Sequence, residues 1–301
     1  MSEINGIINI YKEKGYTSHD LVMKVRKILW TKKVGHAGTL DPDAEGLMTI
    51  CIGKATKAIE YMVEKDKEYI ATVKLGLVTD TQDITGKVIM ECEVPKLDKN
   101  HILKVLNGFM GEYMQIPPMY SAVKVNGKKL YELAREGKEI EREARKVYIR
   151  EIELTKILSN DEFEIRVVCS KGTYIRTLCY DIGQILKCGA CMKTLIRTRV
   201  GRFSLTDGIK LEDLSNDKIL SEKLINVEDI FEKYQKIYVD ELGEKDLLNG
   251  AKINLKNIKN SVIIETLNIY RVYDTKEQFV ALYKCVEEDE EKLLKVEKMF
   301  I

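Results

Sequence analysis

The sequence GHAGTLDPDAEGLMTICI, residues 35–52, places a polar loop directly before an apolar segment. The apolar part, residues 47–52, is short and lacks alternation, which is typical of a strand buried on both faces. Loops fixed to rigid strands are common places for catalytic groups. Pro42 keeps the preceding residue out of the helical region, so we expect Asp41 to present its carboxylate from a defined, extended backbone.

Strands and helices alternate on both sides of this loop. Residues 6–11 are predicted to form a strand, and Ser18 can cap a following helix whose apolar residues recur at helical spacing. The further predicted elements are a helix at 55–63, strands at 68–75, 87–90, 147–158 and 163–169, and a helix at 173–186. This alternation predicts an α+β domain.

Two regions depart from this pattern. Residues 119–146 are rich in Lys and Arg, and Asn126-Gly127 is a typical hairpin turn, which together predict a mobile basic arm. After residue 235 the pattern shifts to short strands, predicted at 262–265, 270–273, 279–283 and 294–299. We therefore expect a small β-rich domain over residues 236–301.

Length and composition bound the class of protein. A chain of 301 residues is long enough for one large domain and a small one. The apolar content of 45% and the lack of Pro, Gly or Ser tracts are typical of a folded globular protein. The formal net charge of +1 neither requires nor excludes a nucleic acid partner, because local patches matter more than the total.

Localisation can be predicted from what the sequence contains. No apolar run approaches the ~20 residues that span a bilayer, and the first residues lack the basic-then-apolar order of a signal peptide. Seven cysteines at irregular spacing do not suggest a disulfide framework, so reduced thiols are expected. A cytoplasmic protein without a membrane segment is therefore predicted.

The loop at residues 35–46 resembles the G-H-x-G-x-L-D-P-x-A-x-G motif of the TruB-type family of tRNA pseudouridine-55 synthases. The resemblance continues in order through residues 67–86, 117–137, 169–183 and 188–203, and so covers most of residues 1–235. It implies a mixed or antiparallel-sheet catalytic domain over residues 1–235 with a thumb insertion at about 119–146. Residues 236–301 resemble a shortened PUA RNA-binding module only loosely.

The resemblance implies that the chain isomerises uridine to pseudouridine at position 55 in the T-loop of tRNA. The base must leave the ribose at N1, rotate and rejoin through C5, which needs no cofactor and no metal, and one nucleophilic carboxylate suffices. Asp41 matches the catalytic aspartate of the family. Whether it attacks the ribose C1′, attacks the base C6 or removes a ribose proton is left open by the sequence.

Four more residues match positions near the substrate uridine in the family. Tyr69 matches the tyrosine that stacks on the flipped base and lies near the proton lost from C5, although by itself it would be a half-buried strand residue. Arg176 matches the arginine paired with the catalytic aspartate, and a guanidinium can hold a carboxylate in bidentate geometry. Tyr174 and Leu195 match pocket-lining positions; without the resemblance both would be assigned to the core.

The remaining matches concern RNA binding. His36 matches a residue that meets the RNA loop, whereas alone it would be a turn histidine. The basic excursion matches the thumb that clamps the T-arm, and its affinity for phosphates should fall steeply with salt; the alternative is an ordinary charged hairpin. The thumb residues expected to bind RNA are Lys124, Lys128, Lys129, Arg135, Arg142, Arg145 and Lys146. The expected partner is tRNA, bound by a monomer without an obligatory protein partner.

Cys188 and Cys191 form a single CxxC, which is a weak signal for a metal or redox site. The family commonly has histidine at the position of Cys191. We therefore interpret this thiol as structural and predict no zinc.

Three rival functions remain on sequence grounds. A guide-dependent rRNA pseudouridine synthase subunit would share the catalytic core, but the long thumb argues against it. A tRNA-binding folding chaperone would not need Asp41, Tyr69 and Arg176 together. A glycosidase with Asp41 and Asp43 as its acid pair ranks last, because two nearby acids in one loop are not assured of facing each other across a substrate.

Overall fold

The computed structural model describes residues 4–125 and 127–301. Within them the strands are β1 Gly6–Lys12, β2 Val34–His36, β3 Glu45–Ile52, β4 Lys67–Leu75, β5 Leu77–Thr79, β6 Val88–Glu91, β7 Gly111–Gln115, β8 Lys124–Val125, β9 Lys128–Lys129, β10 Arg145–Ile157, β11 Glu162–Cys169, β12 Ala190–Val200, β13 Phe203–Ser204, β14 Lys236–Tyr238, β15 Ile253–Asn254, β16 Ile269–Tyr273, β17 Phe279–Glu288 and β18 Glu291–Met299. The α-helices are α1 Ser18–Ile28, α2 Ile59–Val63, α3 Lys99–Asn107, α4 Leu130–Arg135, α5 Ile175–Ile185, α6 Asp217–Lys223 and α7 Glu241–Leu248. Short 3₁₀ helices lie at Gly53–Ala58, Leu205–Asp207, Glu212–Ser215, Val227–Phe231 and Leu255–Asn257.

A nine-stranded sheet forms the centre of the first domain. Its order is β1-β3-β12-β4-β11-β10-β7, with β2 also paired to β3 and β13 to β12. Every pairing is antiparallel except that of β12 with β3. The sheet is therefore mixed, and the predicted α+β class is confirmed. The strand predicted at 47–52 is β3, in which all residues but the first are buried.

The start of α1 differs from the prediction in its cap. Thr17, not Ser18, caps the helix, because its hydroxyl accepts the amide of Asp20 while the Asp20 carboxylate accepts the amide of Thr17. Ser18 is instead buried in the first turn. The prediction failed because either hydroxyl residue suits a cap and only the tertiary fold uses Ser18 elsewhere.

The basic arm lies between two neighbouring strands. β7 and β10 pair from Gln115 opposite Arg145 to Gly111 opposite Ile149, so the chain between them projects from the sheet edge. It carries the β8–β9 hairpin and α4. Asn126 of the predicted turn lies outside the described residues, but the strands on either side of it pair as predicted.

A second, five-stranded sheet follows residue 235, in the order β14-β16-β17-β18-β15. It has its own apolar core, centred on residues such as Tyr270 and Tyr283, and the β-rich character expected for this region is confirmed. The strand predicted at 262–265 was wrong.

Phe231 packs edge-on against Tyr61 and contacts Phe300, so an aromatic cluster joins the two sheets. No helix among the described residues is long and apolar enough to cross a membrane.

Candidate active site

The loop that carries Asp41 is fixed on both sides of this residue. Before it, the Ser18 hydroxyl accepts the Leu40 amide at 2.9 Å and donates to the Leu40 carbonyl oxygen at 3.0 Å. After it, the Pro42 carbonyl oxygen accepts the Gly15 amide at 3.0 Å. These contacts tie the loop to the segment leading into α1, and so they hold the backbone of Asp41 in place.

Lys12 holds the same loop from the end of β1. Its ammonium donates to the carbonyl oxygens of Pro42 at 3.0 Å and Ala44 at 2.6 Å, and the residue is fully buried. Burial lowers the pKa of Lys12 to about 8, while the nearby carboxylates of Asp41 and Asp43 oppose this shift. A buried cation is therefore part of the electrostatic surroundings of Asp41.

Arg197, on β12, supports the loop from beneath. It is 1% exposed and donates from Nε to the Leu47 carbonyl oxygen at 2.8 Å, and from Nη2 and Nη1 to those of Gly38 at 3.1 Å and Thr39 at 3.3 Å. The parallel pairing of β12 with β3 is so close here that a Cβ on Gly46 would lie 2.6 Å from the Arg197 backbone nitrogen. Glycine is required at that position by this close approach and by its φ of +112°.

Asp41 and Arg176 form a bidentate ion pair. Arg176 Nε lies 2.9 Å from Asp41 Oδ2, and Nη2 lies 3.4 Å from Oδ1. The arginine side chain is 6% exposed, whereas that of Asp41 is 37% exposed. The guanidinium is held in turn by the carbonyl oxygens of Thr81 at 3.0 Å and Tyr120 at 2.9 Å. The carboxylate is thus oriented from one side and open on the other, as a catalytic carboxylate must be.

Asp83 is a third charged group in this network. Its Oδ2 lies 3.6 Å from Arg176 Nη1, and its side chain is 15% exposed. Desolvation raises the pKa of the Asp41 carboxyl above its ordinary value; Arg176 opposes the rise, and the Asp83 carboxylate adds to it. Arg176 is therefore shared between two carboxylates, and its charge favours the ionised form of Asp41 against the effect of burial.

Tyr69 and Leu195 lie on the same face of the sheet beside this pair. Tyr69, on β4, is opposite Arg197 on β12. Ala71 lies two residues after Tyr69, and its partner Leu195 lies two residues before Arg197, so these side chains share a face. Tyr69 is 9% exposed, and burial raises its pKa while Arg197 opposes the shift. The Asp41 carboxylate is close enough to add to that rise. The Tyr69 ring thus lies near the Asp41 carboxylate, and Leu195 lies on the same face of the sheet as that ring.

Tyr174 is held at the start of α5, two residues before Arg176. Its amide donates to Gln115 Oε1 at 2.7 Å, and its carbonyl oxygen accepts from Gln115 Nε2 at 2.9 Å. Gln115 is 1% exposed and ends β7. Burial raises the pKa of Tyr174, and the charges of Arg176 and Asp41 also act on it. The structure therefore brings this tyrosine into the same site.

His36 ends β2 at the start of the loop. Its Nδ1 accepts the Gly38 amide at 3.3 Å. Burial lowers the pKa of His36, and the Arg197 guanidinium lowers it further, so the imidazole is neutral at physiological pH. A neutral, half-buried ring suits stacking against a base better than pairing with a phosphate.

The basic residues of the predicted thumb differ in their exposure and contacts. Lys124 and Lys128 are exposed on the β8–β9 hairpin, although Lys128 has a weak contact of 3.9 Å with Glu136. Arg142 is only 20% exposed and donates to the Pro117 carbonyl oxygen at 3.3 Å, so it holds the base of the thumb. The others are Lys129 and Arg135, which lie over the Tyr131 ring, and Arg145 and Lys146, which belong to β10. The Tyr120 carbonyl oxygen, which accepts from Arg176, joins this segment to the Asp41–Arg176 pair.

Four site residues were not predicted from the sequence: Lys12, Asp83, Gln115 and Arg197. Lys12 could have been suspected, because it is a cation within a strand that is otherwise almost wholly apolar. Cys188 and Cys191 are buried and, like the other five cysteines, free of disulfides. No group of three or more potential metal ligands occurs in the part of the chain that the structure describes.

Two family models match successive parts of the chain. Residues 26–175 match the TruB family pseudouridylate synthase (N terminal domain), and residues 176–236 match the tRNA pseudouridylate synthase B C-terminal domain. The chain is similar to the protein named tRNA pseudouridine synthase B of Clostridium perfringens, with 47% identity over 298 residues and 99% of each chain covered. It is 48% identical over 287 residues to the protein of that name in Clostridium acetobutylicum, covering 95% of this chain and 97% of the relative.

Solved structures with the same fold include chains from multi-component complexes. A chain of a Cbf5-Nop10-Gar1 complex aligns with a TM-score of 0.72 and 28% identity, covering 98% of this chain and 85% of that one. A chain from an H/ACA RNP bound to a substrate RNA containing 2'-deoxyuridine aligns with a TM-score of 0.71 and 26% identity, with the same coverage. The fold therefore matches over nearly the full length of this chain.

Proposed function

Since this chain belongs to the TruB family of pseudouridylate synthases, we propose that it converts one uridine in the T-loop of tRNA, at position 55, to pseudouridine, with Asp41 as the catalytic carboxylate. The predicted family is confirmed, and the protein is a pseudouridine synthase, an isomerase. The observation that carries the assignment of the catalyst is the bidentate pair of Asp41 and Arg176, in which the carboxylate alone is open to the outside.

The proposed reaction balances without a co-reactant. The bond from N1 of the base to C1′ of the ribose breaks, a bond from C5 to C1′ forms, C5 loses its proton, and N1 gains one. Attack by Asp41 on C1′, attack on C6 and removal of a ribose proton all need the same ionised carboxylate within reach of the nucleotide. Arg176 favours that ionisation, because its charge opposes the rise in the Asp41 pKa that burial causes.

The uridine reaches Asp41 by leaving the stack of the RNA loop. Flipping out a base costs a few kcal/mol, which stacking in the pocket offsets. Tyr69 provides the ring for that stacking, and Leu195 and Tyr174 line the sides. The phenol of Tyr69 keeps its proton, since burial raises its pKa, and its hydroxyl lies near the proton that C5 loses.

The thumb and His36 place the T-arm over the site. The lysines and arginines within residues 119–146 neutralise phosphates of the RNA, so the affinity for tRNA falls as the salt concentration rises. His36 meets the RNA loop with a neutral imidazole and stacks on a displaced base. Because Tyr120 at the start of the thumb contacts Arg176, closure of the thumb on RNA is coupled to the catalytic pair.

The domain organisation and the cellular setting are part of the same proposal. Residues 1–235 form the catalytic domain, and residues 236–301 form a PUA-like module that touches the acceptor side of the tRNA. The thumb gives this chain its own clamp on RNA, so the enzyme works as a monomer without an obligatory protein partner. Its tRNA substrate is met in the cytoplasm.

Two other roles would use the same fold. The Cbf5 chains similar to this one come from complexes named with Nop10 and Gar1 or with an RNP, which makes guide-dependent action on rRNA the second candidate. A tRNA folding activity would persist in an Asp41→Ala protein, because it needs binding and not chemistry.

The proposal is tested with bare tRNA transcripts labelled with tritium at C5 of uracil. Isomerisation replaces that hydrogen, so tritium enters the solvent at each turnover. We expect release from unmodified transcript and none from a transcript with cytidine at position 55. No release from any bare tRNA, with release from a labelled rRNA fragment once a complementary guide RNA is added, would favour the guide-dependent role.

A further inference from the structure

A cavity of about 610 Å³ lies beside α1, apart from the catalytic pair. One wall is the segment before α1, another is the C-terminal half of that helix, and a third is the 3₁₀ helix Glu212–Ser215 with the two residues before it. Its lining includes two aromatic residues and three lysines: Tyr16, Trp30, Lys24, Lys27 and Lys210. The cavity is large enough for a nucleotide and has no role in the chemistry of Asp41.

Trp30 is the most unusual residue of this cavity. Its side chain is 87% exposed, and its φ of +50° lies in the left-handed region. The Thr31 amide bonds to the Arg26 carbonyl oxygen at 3.2 Å across it, so Trp30 occupies the position after a helix end that glycine normally fills. A bulky residue is strained there. Neither burial nor backbone preference explains a tryptophan at this position, so its explanation lies in what the ring contacts.

Basic side chains outnumber acidic ones in the lining of the cavity, with three lysines against Glu13 and Glu212. No acidic residue occurs between Asp20 and Asp41 in the sequence. A helix C-terminus favours cations, which accounts for Arg26 and Lys27 in the last turn of α1. Lys24 and Lys210 lie outside that turn, and both line the cavity.

The second aromatic ring of the cavity is already in contact with a cation. Lys24 lies over the Tyr16 ring at 4.3 Å, and Lys210 pairs with Glu212 at 3.5 Å on the opposite wall. An exposed aromatic ring with several cations beside it is the combination that binds unpaired nucleotides, in which the base stacks and the phosphate is neutralised.

The cavity adjoins the catalytic loop. Glu13 and Tyr16 line it, and Gly15 between them donates to the Pro42 carbonyl oxygen next to Asp41. Trp30 also precedes His36 by six residues, which an extended chain spans in at most about 22 Å. The cavity therefore lies within reach of an RNA that has one nucleotide bound at Asp41.

We propose that this cavity binds a second, unpaired nucleotide of the tRNA, with its base stacked on Trp30 and its phosphate facing Lys24, Lys27 and Lys210. The inference rests on the proposed function, because tRNA is the RNA concerned. The nucleotide comes either from the T-arm itself or from another part of the tRNA, and the ligand chemistry is the same in both cases.

The test uses the single tryptophan of the chain as its own reporter. An Asp41→Asn protein is titrated with unmodified full-length tRNA and, separately, with an isolated T-arm stem-loop, while filter binding records occupancy. We expect full-length tRNA to quench the emission. Quenching by the stem-loop as well places the nucleotide in the T-arm, and quenching by full-length tRNA alone places it elsewhere. Bound tRNA with unchanged emission would overturn the inference and leave the proposed function standing, whereas absence of tRNA binding by filter would overturn both.

Substitution separates stacking from mere proximity. Trp30→Asn removes the ring and suits a positive φ, so it adds no backbone strain. We expect it to weaken binding of the tRNA by roughly ten-fold, as for loss of one base–aromatic stack. Trp30→Phe should retain most of the affinity. Ile157→Ala, at a side chain that is 51% exposed at the end of β10, is the control. Equal affinity of wild type and a folded Trp30→Asn protein would refute the stacking role.

Discussion

Arg176 binds both carboxylate oxygens of Asp41, through Nε to Oδ2 at 2.9 Å and through Nη2 to Oδ1 at 3.4 Å. The same guanidinium is fixed by two backbone carbonyl oxygens and approaches Asp83. Its position is therefore determined by the fold before any substrate arrives. The orientation of the Asp41 carboxylate follows from a buried guanidinium that is fixed by these contacts.

Arg176→Lys should slow the chemical step and leave tRNA binding nearly unchanged. Lysine keeps the charge but loses the bidentate geometry. We expect the single-turnover rate to fall by about 10²- to 10³-fold, the usual effect of removing a preorganised donor, with Kd for tRNA within about threefold. Arg150→Lys, at an exposed ion pair with Asp66, is the control. Equal loss in rate and in affinity would indicate a binding role for Arg176.

The rate of the chemical step should rise with pH through an acidic limb that belongs to Asp41. Burial raises the pKa of this carboxyl, so the midpoint should lie above the ordinary value of about 4. Asp83 adds to the rise, and removing a like charge makes ionisation easier. Asp83→Asn should therefore move the limb to lower pH, as measured by single-turnover rates between pH 4.5 and 8. A shift to higher pH would contradict the assignment of the limb to Asp41.

Arg197→Met should destabilise the protein and slow catalysis together. The substitution removes the donor that the carbonyl oxygens of Gly38, Thr39 and Leu47 share. At about 1 kcal/mol for each lost hydrogen bond, the free energy of unfolding should fall by about 3 kcal/mol. Arg199→Met, two residues along the same strand and 34% exposed, should cost less than about 1 kcal/mol. Unfolding in urea measures both. Equal losses for the two variants would mean that support of the loop by Arg197 is unimportant.

Gly46→Ala should destabilise more than the same change at Gly137. Both glycines have positive φ, but a Cβ at Gly46 would meet the backbone of Arg197, whereas Gly137 has no heavy atom within 4 Å of that position. The φ of +112° at Gly46 is also less accessible to alanine than the +71° at Gly137, so overlap and backbone strain together should make the difference about 2 kcal/mol. Thermal and urea unfolding of the pair measure it. A larger loss at Gly137 would contradict the close approach of β12 to β3.

Thumb lysines should contribute to the salt dependence of tRNA binding. Replacing Lys124 and Lys128 by Gln should reduce the slope of log K against log salt by about 0.7–0.9 for each phosphate that is no longer neutralised. Arg142→Gln should instead weaken the base of the thumb, since its guanidinium already contacts Pro117 and Glu139. Lys193→Gln, at an ion pair with Glu162 on the central sheet, is the control. An unchanged slope in the double variant would argue against binding of phosphates by this hairpin.

Elements whose signal lies within a short contiguous segment were predicted from the sequence. The strand at residues 47–52 was found because its run is apolar throughout, and the loop before it because its motif is contiguous. The strand at 262–265 was wrong, although the segment is apolar, because the Glu265 amide donates to the Tyr270 hydroxyl at 2.8 Å instead of entering a ladder. A hydrogen bond from a backbone amide to a side chain further along the chain leaves no trace in the periodic pattern of apolar residues.

The candidate site was predicted only in the residues that belong to contiguous motifs. Asp41, Tyr69 and Arg176 could be named, and their proximity is now visible, although their roles remain proposals. Lys12 and Arg197 act through strands that are distant in sequence from the loop they hold, β1 and β12. A single sequence does not reveal which cation is buried, because burial is decided by the pairing of those strands.

The most direct measurement is nucleotide-resolved pseudouridine mapping on unmodified tRNA transcript, with wild-type protein and with Asp41→Asn. The asparagine matches the carboxylate in shape and lacks its charge, and tRNA binding by both proteins serves as the control for folding. We predict pseudouridine at position 55 with wild type alone, while both proteins bind the tRNA. Equal modification by the Asp41→Asn protein, or modification at a different nucleotide, would contradict the account.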